Sequence, residues 1–277
     1  MDIKRILVPM DFSHCAINAL QFAKRLAHDS NASIMLMNVS HQPQVYVEAM
    51  GAGAIMQPIM TEYEKHAEEN FSELIEKEGL KKFNVSTRSF SMGFIDAINS
   101  CLNEDNIDLV ITGTNEYHDF LDSMFGSKSA DIISTSKVPV MMIPECAQLE
   151  KIKKIGVAIN FENDNDYKKL DITRTFARLL DAQIIILNIA KNSKKLFYHD
   201  DDKVSLSNFY KGIDHLFFSL NDKGDLVNIL QDSSKELGLD MLFMHPKNHK
   251  GIDSLFYKSK TKSMAMQIDI PLLTVHE

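Results

Sequence analysis

Side chains able to ligate a metal ion lie close together in the segment that follows residue 115. Glu116, His118, Asp119 and Asp122 fall within seven residues, and carboxylate and imidazole groups are ordinary metal ligands. Residues of these types in a polar segment more often face water, and that is the interpretation we favour. The sequence therefore gives no strong indication of a metal site here.

Nucleophilic side chains are also present, but none lies in a catalytic arrangement that can be recognised locally. Cys15 lies near the start of a predicted helix, where the helix N-terminus can lower the pKa of a thiol. A small buried residue is the interpretation that we favour for it. His245 and His249 are four residues apart, but Pro246 breaks the helix that would align them on a zinc ion. No Ser-His-Asp or Cys-His pattern stands out, so we predict that the chain is not an enzyme.

One stretch of the sequence has two closely spaced glycines, which could let the backbone approach a phosphate group. The stretch Gly51-Ala-Gly53-Ala-Ile-Met56 resembles a shortened G-x-G-x-x-G pattern. It lacks the third glycine and does not directly follow a predicted strand, both of which the dinucleotide-binding pattern requires. We therefore interpret it as part of a long loop over Ser40–Pro58. No Walker A pattern occurs in the sequence.

The elements that would position functional residues follow from the apolar periodicity. Short apolar runs alternate with amphipathic stretches, which predicts a parallel sheet covered by helices on both faces. Ser13 is a suitable N-cap for the first helix. Ligands in such folds bind beyond the carboxyl ends of the strands. The predicted strands are Arg5–Met10, Ser33–Val39, Asn84–Phe90, Asp108–Thr112 and Val138–Ile143.

This pattern occurs twice in the chain. The segment Asp108–Pro144 aligns without a gap with Asp240–His276 at an offset of 132 residues, which is typical of an internal repeat. We predict two tandem, doubly wound, five-stranded parallel-sheet α/β domains. Their predicted bounds are residues 1–144 and 154–277, with a linker over 145–153. The second domain has a shortened middle helix, since residues 191–212 are few and polar.

Charge and cysteine content limit the possible partners. Residues 1–144 carry 11 basic against 19 acidic side chains, and the remainder carries 19 of each. An acidic first half argues against nucleic acid, because phosphate contacts require a basic surface. Three cysteines without a C-x-x-C spacing favour a reducing compartment. No apolar run is long enough to span a bilayer. We expect a cytoplasmic protein with neither a membrane nor a nucleic acid as its partner.

The sequence resembles the universal stress protein family over essentially its whole length. The resemblance rests on the opening Ile6-Leu-Val-Pro-Met-Asp11-Phe-Ser, the strand end Asn38-Val39, the stretch Gly113–Ser127 and the closing Val138-Pro-Val-Met-Met-Ile143. It implies that both domains have a Rossmann-like, adenine nucleotide α-hydrolase-like fold, and that the chain is a regulatory or stress-response protein. It also implies that the two domains pack as a pseudo-dimer within the chain and that the chain forms a homodimer.

Some members of this family bind ATP through a G-x2-G-x9-G-[S/T] motif. The first copy keeps Gly113, Gly126 and Ser127 at this spacing, but Glu116 replaces the second glycine. The resemblance implies that these residues would lie at the phosphates. A carboxylate there would repel a triphosphate, unless Mg²⁺ lay between the two. Asp11 and Val39 would lie on the adenine side.

The second copy has lost every glycine of the motif. It reads His245-Pro-Lys-Asn248, nine further residues, then Lys258-Ser259, and Asn160 takes the place of Asp11. We therefore expect no nucleotide in this half. Its lysines are either a solvated surface, which we favour, or a different anion site; they are Lys247, Lys250, Lys258, Lys260 and Lys262.

Three functions remain open at this point. The first is a stress-response binding protein with ATP or another small anion in the first domain. The second is an interaction module that binds no nucleotide and acts through protein partners, with the final strands Val138–Ile143 and Pro271–Val275 as edges suited to pairing. The third is a slow ATPase, which we favour least because no base, arginine finger or Mg²⁺-binding pair is evident.

Overall fold

The computed structural model describes residues 2–39, 52–114, 132–133, 136–147, 152–159, 167–190, 200–221, 226–245, 264 and 268–275. Ten strands lie in these residues: β1 (Arg5–Pro9), β2 (Ser33–Val39), β3 (Val85–Phe90), β4 (Leu109–Thr114), β5 (Val140–Pro144), β6 (Lys154–Ile159), β7 (Gln183–Ala190), β8 (His215–Asn221), β9 (Met241–Met244) and β10 (Leu272–Thr274). They form one mainly parallel sheet in the order β3-β2-β1-β4-β5-β10-β9-β6-β7-β8. Each half of the sheet thus repeats one strand order.

The helices alternate with the strands as the sequence predicted. They are α1 (His14–Ser30), α2 (Ala52–Lys77), α3 (Phe94–Glu104), α4 (Asp171–Leu180), α5 (Asp200–Phe209) and α6 (Leu226–Leu237), with short 3-10 turns at Leu80–Lys82 and Tyr167–Leu170. The middle helix of the second half, α5, has 10 residues against 26 in α2. The α/β fold and the shortened middle helix are therefore confirmed.

Helix α1 shows how local sequence sets these elements. The Ser13 hydroxyl accepts a hydrogen bond from the backbone N–H of Ala16 at 3.3 Å, so it caps the helix as predicted. Asn31 ends the helix in the left-handed conformation, with φ 59°. Six apolar residues at helical spacing between these caps are buried: Ala16, Ala19, Leu20, Ala23, Leu26 and Ala27.

Helices cover both faces of the sheet. One core contains buried residues of α1 and α4, such as Phe22 and Phe176, and also takes in Met141 of β5 and Leu273 of β10. The core on the opposite face contains residues of α3 and α6, such as Ile98 and Leu230. Each core includes residues from both halves of the chain. The two halves therefore share their hydrophobic packing.

The halves meet at an antiparallel pair of strands. β5 pairs with β10, whereas the neighbouring strands within each half are parallel. These two strands lie in the segments that the sequence indicated as edges suited to pairing. Joining them removes one exposed edge from each half.

One hydrogen-bond arrangement occurs in both halves. Oδ2 of Asp108 accepts from the backbone N–H groups of Lys4 and Arg5 at 2.8 and 2.9 Å. Oδ2 of Asp240 accepts from those of Lys153 and Lys154, both at 2.9 Å. Asp108 and Asp240 are equivalent in the 132-residue repeat, so the repeat seen in the sequence is also a repeat of contacts.

The structure contradicts part of one sequence expectation and leaves another untested. The predicted loop over Ser40–Pro58 is wrong in its second part, since α2 begins at Ala52 and includes Gly53 and Pro58. Ala, Ile, Met and Gln in this stretch are adequate helix formers, and the helix continues to Lys77, which offsets the weak propensity of Gly and Pro. The domain bounds 1–144 and 154–277 and the linker 145–153 stay a prediction.

No helix within the described part of the chain is both long and apolar enough to cross a bilayer.

Candidate functional site

Three predicted site residues of the first half are described by the structure, and these three, Asp11, Val39 and Gly113, lie at one end of the sheet. β1 pairs with β2, with Pro9 opposite Met37, and with β4, with Leu7 opposite Val110. Asp11 follows the end of β1, Val39 is the last residue of β2, and Gly113 is the penultimate residue of β4. β1 is followed by β2 on one side, whereas β4 lies on its other side. This is the switch point at which α/β sheets bind ligands.

The turn between β1 and α1 is held by its own side chains. Oδ1 of Asp11 accepts from the backbone N–H of Ser13 at 3.0 Å, which forms an Asx turn. Phe12, between them, has φ 64°, a conformation that is strained for a bulky residue. Its ring packs on Phe71 of α2, with 5.4 Å between the centroids. Packing and the Asx turn together hold this strained turn in place.

The end of β2 is tied to the same turn. The backbone N–H of Met10 donates to the carbonyl of Met37 at 2.7 Å. The Asn38 side-chain amide donates in turn to the carbonyl of Met10 at 2.7 Å. Val39 is half-buried and packs against the core on the α3 face. Asp11 and Val39 are thus brought to the same end of adjacent strands, as the sequence predicted.

Gly113 lies against the first turn of α1. A Cβ atom at this position would overlap the carbonyl of Cys15 and come within 2.9 Å of the Cys15 Cβ. A backbone carbonyl cannot move aside as a flexible side chain can, so only glycine fits between β4 and α1 here. From the sequence we interpret Gly113 as a phosphate contact. The structure shows that the close packing of β4 against α1 also requires a glycine at this position.

The pKa of the Cys15 thiol bears on whether this cysteine is reactive or simply buried. Burial raises the pKa of its thiol to about 12, with further contributions from the carboxylates of Glu145 and Asp11. The alternative in which the helix N-terminus activates this cysteine is therefore wrong, since the desolvation of a thiolate outweighs the helix dipole here. Burial likewise raises the pKa of Cys101 to about 11.

Several predicted residues lie outside the residues that the structure describes. They are Glu116, Gly126 and Ser127 of the phosphate motif, together with His118, Asp119, Asp122, His249 and the second-half lysines from Lys247 to Lys262. Among the residues that are described, no group of three or more His, Cys, Asp or Glu side chains could hold a metal ion.

The corresponding end of the second half is built differently. His245 takes the place of Gly113, and its Nδ1 donates to the carbonyl of Val275 at 2.8 Å. Helix α4 has 10 residues, whereas α1 has 17, although both end in a left-handed C-cap at Asp181 and Asn31. A side chain that bonds to the neighbouring strand replaces the close glycine contact of the first half. The two sites are therefore not equivalent.

Phe12 and Asn18 were missed at the sequence level. Asn18 donates from its side-chain amide to the carbonyls of Pro144, Glu145 and Ala147 at 3.1, 3.2 and 3.3 Å, which fixes the chain that leaves β5. The Asp-x-Ser spacing around Phe12 is an Asx-turn signal that could have indicated the special backbone. No local signal indicates Asn18, because its partners lie about 130 residues away.

The fold and this arrangement of strand ends agree with a comparison against protein families. The model of the universal stress protein family matches residues 2–144, which is more than half of the 277 residues. The chain belongs to the universal stress protein family. The resemblance seen in the opening strand, in Asn38-Val39 and in the Gly113 segment is thereby confirmed for the first half.

Solved structures extend the likeness to the whole chain. A universal stress protein from Archaeoglobus fulgidus DSM 4304 is 16% identical, with a TM-score of 0.77, and the match covers 100% of this chain and 99% of that one. A putative universal stress protein from Pseudomonas aeruginosa UCBPP-PA14 is 12% identical, with a TM-score of 0.62, 99% of this chain and 93% of that chain being covered. At these identities the likeness shows the fold alone.

A third solved structure with a similar fold is a domain of a cotransporter. The cytoplasmic domain of a prokaryotic cation chloride cotransporter is 8% identical, with a TM-score of 0.53, and the match covers 98% of this chain and 95% of that one. No curated protein matches the chain at a significant level. A similar fold therefore occurs in a universal stress protein and in a domain of a cotransporter, and function has to be argued from the site.

Proposed function

We propose that this chain is a non-catalytic regulatory protein that binds an adenine nucleotide, ATP with Mg²⁺, at the first half of its sheet. The observation that carries the proposal is the convergence of Asp11, Val39 and Gly113 at the switch point of β1, β2 and β4. Membership of the universal stress protein family supports it.

The adenine would lie beside the strained turn. Asp11 uses Oδ1 to hold Ser13, and its carboxylate can also accept from the exocyclic amine of adenine. Val39 is half-buried at the end of β2 and offers apolar contact to one face of the base. The Asp11–Ser13 hydrogen bond and the packing of Phe12 on Phe71 already fix the segment between β1 and α1. Little further ordering of this segment is therefore required when a nucleotide binds.

The phosphates would follow the end of β4. Gly113 brings the backbone of β4 close to α1, and Gly126 and Ser127 supply N–H and hydroxyl donors by the family motif. The carboxylate of Glu116 has the same sign of charge as the phosphates, so we propose that nucleotide binding requires Mg²⁺, for which Glu116 would be a ligand. The second half, with His245 in place of Gly113, binds no nucleotide.

Isothermal titration calorimetry with ATP and Mg²⁺ tests this proposal. We expect wild-type protein to bind, Glu116→Gly to bind ATP at least as tightly without Mg²⁺, and Asp11→Asn to bind about tenfold more weakly. Asp11→Asn is a matched change, because Asn keeps an oxygen that can accept from Ser13. Lack of binding by wild type would overturn the nucleotide proposal, and binding by Glu116→Gly alone would then show that the Glu116 carboxylate prevents it.

A second candidate is an interaction module that binds no nucleotide. The observation that favours it is the antiparallel pairing of β5 with β10 inside one chain, because the sheet is already built by edge-to-edge association. We propose that the chain also forms a homodimer. Sedimentation velocity across a hundredfold range of concentration tests this, and a monomer at every concentration contradicts it.

A further inference from the structure

The two outer edges of the ten-stranded sheet are equivalent strands of the repeat. β3 forms one edge and β8 the other. β2 pairs with β3 with Ile34 opposite Val85, and β7 pairs with β8 with Ile184 opposite His215. β2 and β7 are equivalent strands, since Asn38 and Asn188 occupy the same position in them, 150 residues apart. Ile34 therefore matches Ile184, and Val85 corresponds to His215. The two edges can thus be compared residue by residue.

The edge at β3 is protected by polar and charged side chains. Arg88 forms ion pairs with Glu104 at 3.0 Å and with Asp105. Its guanidinium also lies over the ring of Phe90, 4.8 Å from the centroid. Charged residues on an edge strand are a common protection against pairing with another sheet.

The edge at β8 has apolar residues at the same positions. Leu216 takes the place of Ser86 and Phe218 that of Arg88, and their side chains are 45% and 36% exposed. Leu220 follows on the same face of the strand and packs against the core beside α6. Two successive exposed apolar residues on an outer strand form a surface suited to association.

We propose that β8 is the surface through which a second copy of this chain binds, by antiparallel β8–β8 pairing. The inference rests on the homodimer proposed above and assigns its interface. Within the described part of the chain, β8 has a paired strand only on its β7 side. The backbone groups on its other side would bond to those of the second copy, and the Leu216–Phe218 pair of one chain would lie opposite the same pair of the other across a two-fold axis.

Closure of the assembly favours a second copy as the occupant. Pairing of β8 with β3 of another molecule would be head-to-tail and would extend into a filament. The ion pairs of Arg88 on β3 oppose that arrangement, because burying Arg88 against Phe218 would desolvate its charge. Pairing of β8 with β8 is isologous and ends at two chains. The β5–β10 pair is an antiparallel pair of equivalent strands of the repeat, and β8–β8 pairing would have the same geometry.

The test transfers the residues of one edge to the other. We expect the double variant L216S/F218R, which gives β8 the residues of β3, to weaken dimerisation on the order of a hundredfold in sedimentation equilibrium. The matched control is Ser89→Lys on the exposed face of β3, which should dimerise like wild type. Ser219→Lys, which adds one charge to the β8 edge and removes no apolar residue, should also weaken the dimer.

The outcomes separate the two proposals. A monomeric wild type overturns the homodimer itself and the interface with it. A dimeric wild type whose L216S/F218R and Ser219→Lys variants both remain dimeric overturns only the assignment to β8. Circular dichroism and thermal unfolding establish that each variant is folded, and Ser219→Lys provides a second reading if the double variant is not.

Discussion

Met141 and Leu273 face each other directly where β5 pairs with β10, and they are equivalent residues of the repeat, 132 positions apart. The flanking pairs, Met142 with Leu272 and Val140 with Thr274, exchange places under the same operation. A pseudo-two-fold axis therefore passes through the Met141–Leu273 pair. Both side chains are fully buried, so the axis runs through the shared core.

Shortening Met141 is expected to destabilise both halves of the chain. Met141→Ala should lower the free energy of unfolding by about 2–5 kcal/mol, because it leaves a cavity in a core to which both halves contribute. Met141→Leu, which places the residue type of the partner position there, should cost less than about 1.5 kcal/mol. Urea denaturation measures both values.

Hydrogen exchange tells whether the loss is shared. If the halves unfold together, Met141→Ala accelerates exchange in β6 and β7 of the second half as well as in β1 and β2. Faster exchange confined to residues of the first half would show that the halves are independent units and would contradict the shared core.

The paired aspartates predict equal effects at two distant positions. Asp108→Ala and Asp240→Ala each remove a carboxylate that accepts two backbone N–H groups, so each should cost about 1–3 kcal/mol of stability. Asp108→Asn and Asp240→Asn retain an accepting oxygen and should cost less. Thermal unfolding of the four variants measures this, and a large effect at only one of the two positions would mean that the contact is not equivalent in the two halves.

Much of the fold could be predicted from the sequence because it depends on local periodicity. The apolar spacing from Ala16 to Ala27 and the Ser13 cap specify α1 without reference to the rest of the chain. The 132-residue self-alignment places Asp240 at the position equivalent to Asp108. The start of α2 at Ala52 could not be predicted, because Gly53 and Pro58 weaken the local signal. The helical signal comes from the amphipathic C-terminal part of α2, where Ala67, Phe71 and Leu74 are buried.

The site could be predicted in its residues but less well in its physical roles. Asp11, Val39 and Gly113 were found by their positions at strand ends and by the family resemblance. The contact between Gly113 and the Cys15 carbonyl depends on how closely β4 and α1 pack, which no local pattern records. The same holds for Asn18, whose partners follow β5.

Replacement of Gly113 is expected to affect stability even without ligand. Gly113→Ala should lower the free energy of unfolding by about 1–3 kcal/mol or more, because the new methyl group overlaps a backbone carbonyl. Gly93→Ala is the matched control, since a Cβ there meets mainly the movable carboxylate of Asp96 at 2.8 Å. Chemical denaturation without nucleotide measures both, and an equal or smaller loss for Gly113→Ala would show that this glycine is not required for packing.

Alkaline pH is expected to destabilise the protein partly through its buried thiols. Burial raises the pKa of Cys15 from about 9 to about 12 and that of Cys101 to about 11, so the folded state retains protons that the unfolded chain releases. The stability that depends on these thiols is complete below pH 9 and is lost as the pH rises toward the folded-state pKa values. The loss approaches about 1.4 kcal/mol per pH unit for each thiol.

Single cysteine variants isolate this contribution. In urea denaturation between about pH 9.5 and 11, Cys15→Ala should show a shallower fall of stability with pH than wild type, by about 1.4 kcal/mol per pH unit. Cys146→Ala removes a cysteine that is exposed, and its pH dependence should match that of wild type. If Cys15→Ala instead followed the wild-type curve throughout this range, the thiol would titrate alike in the folded and unfolded states, and the burial at the junction of α1 and β4 would not control its ionisation.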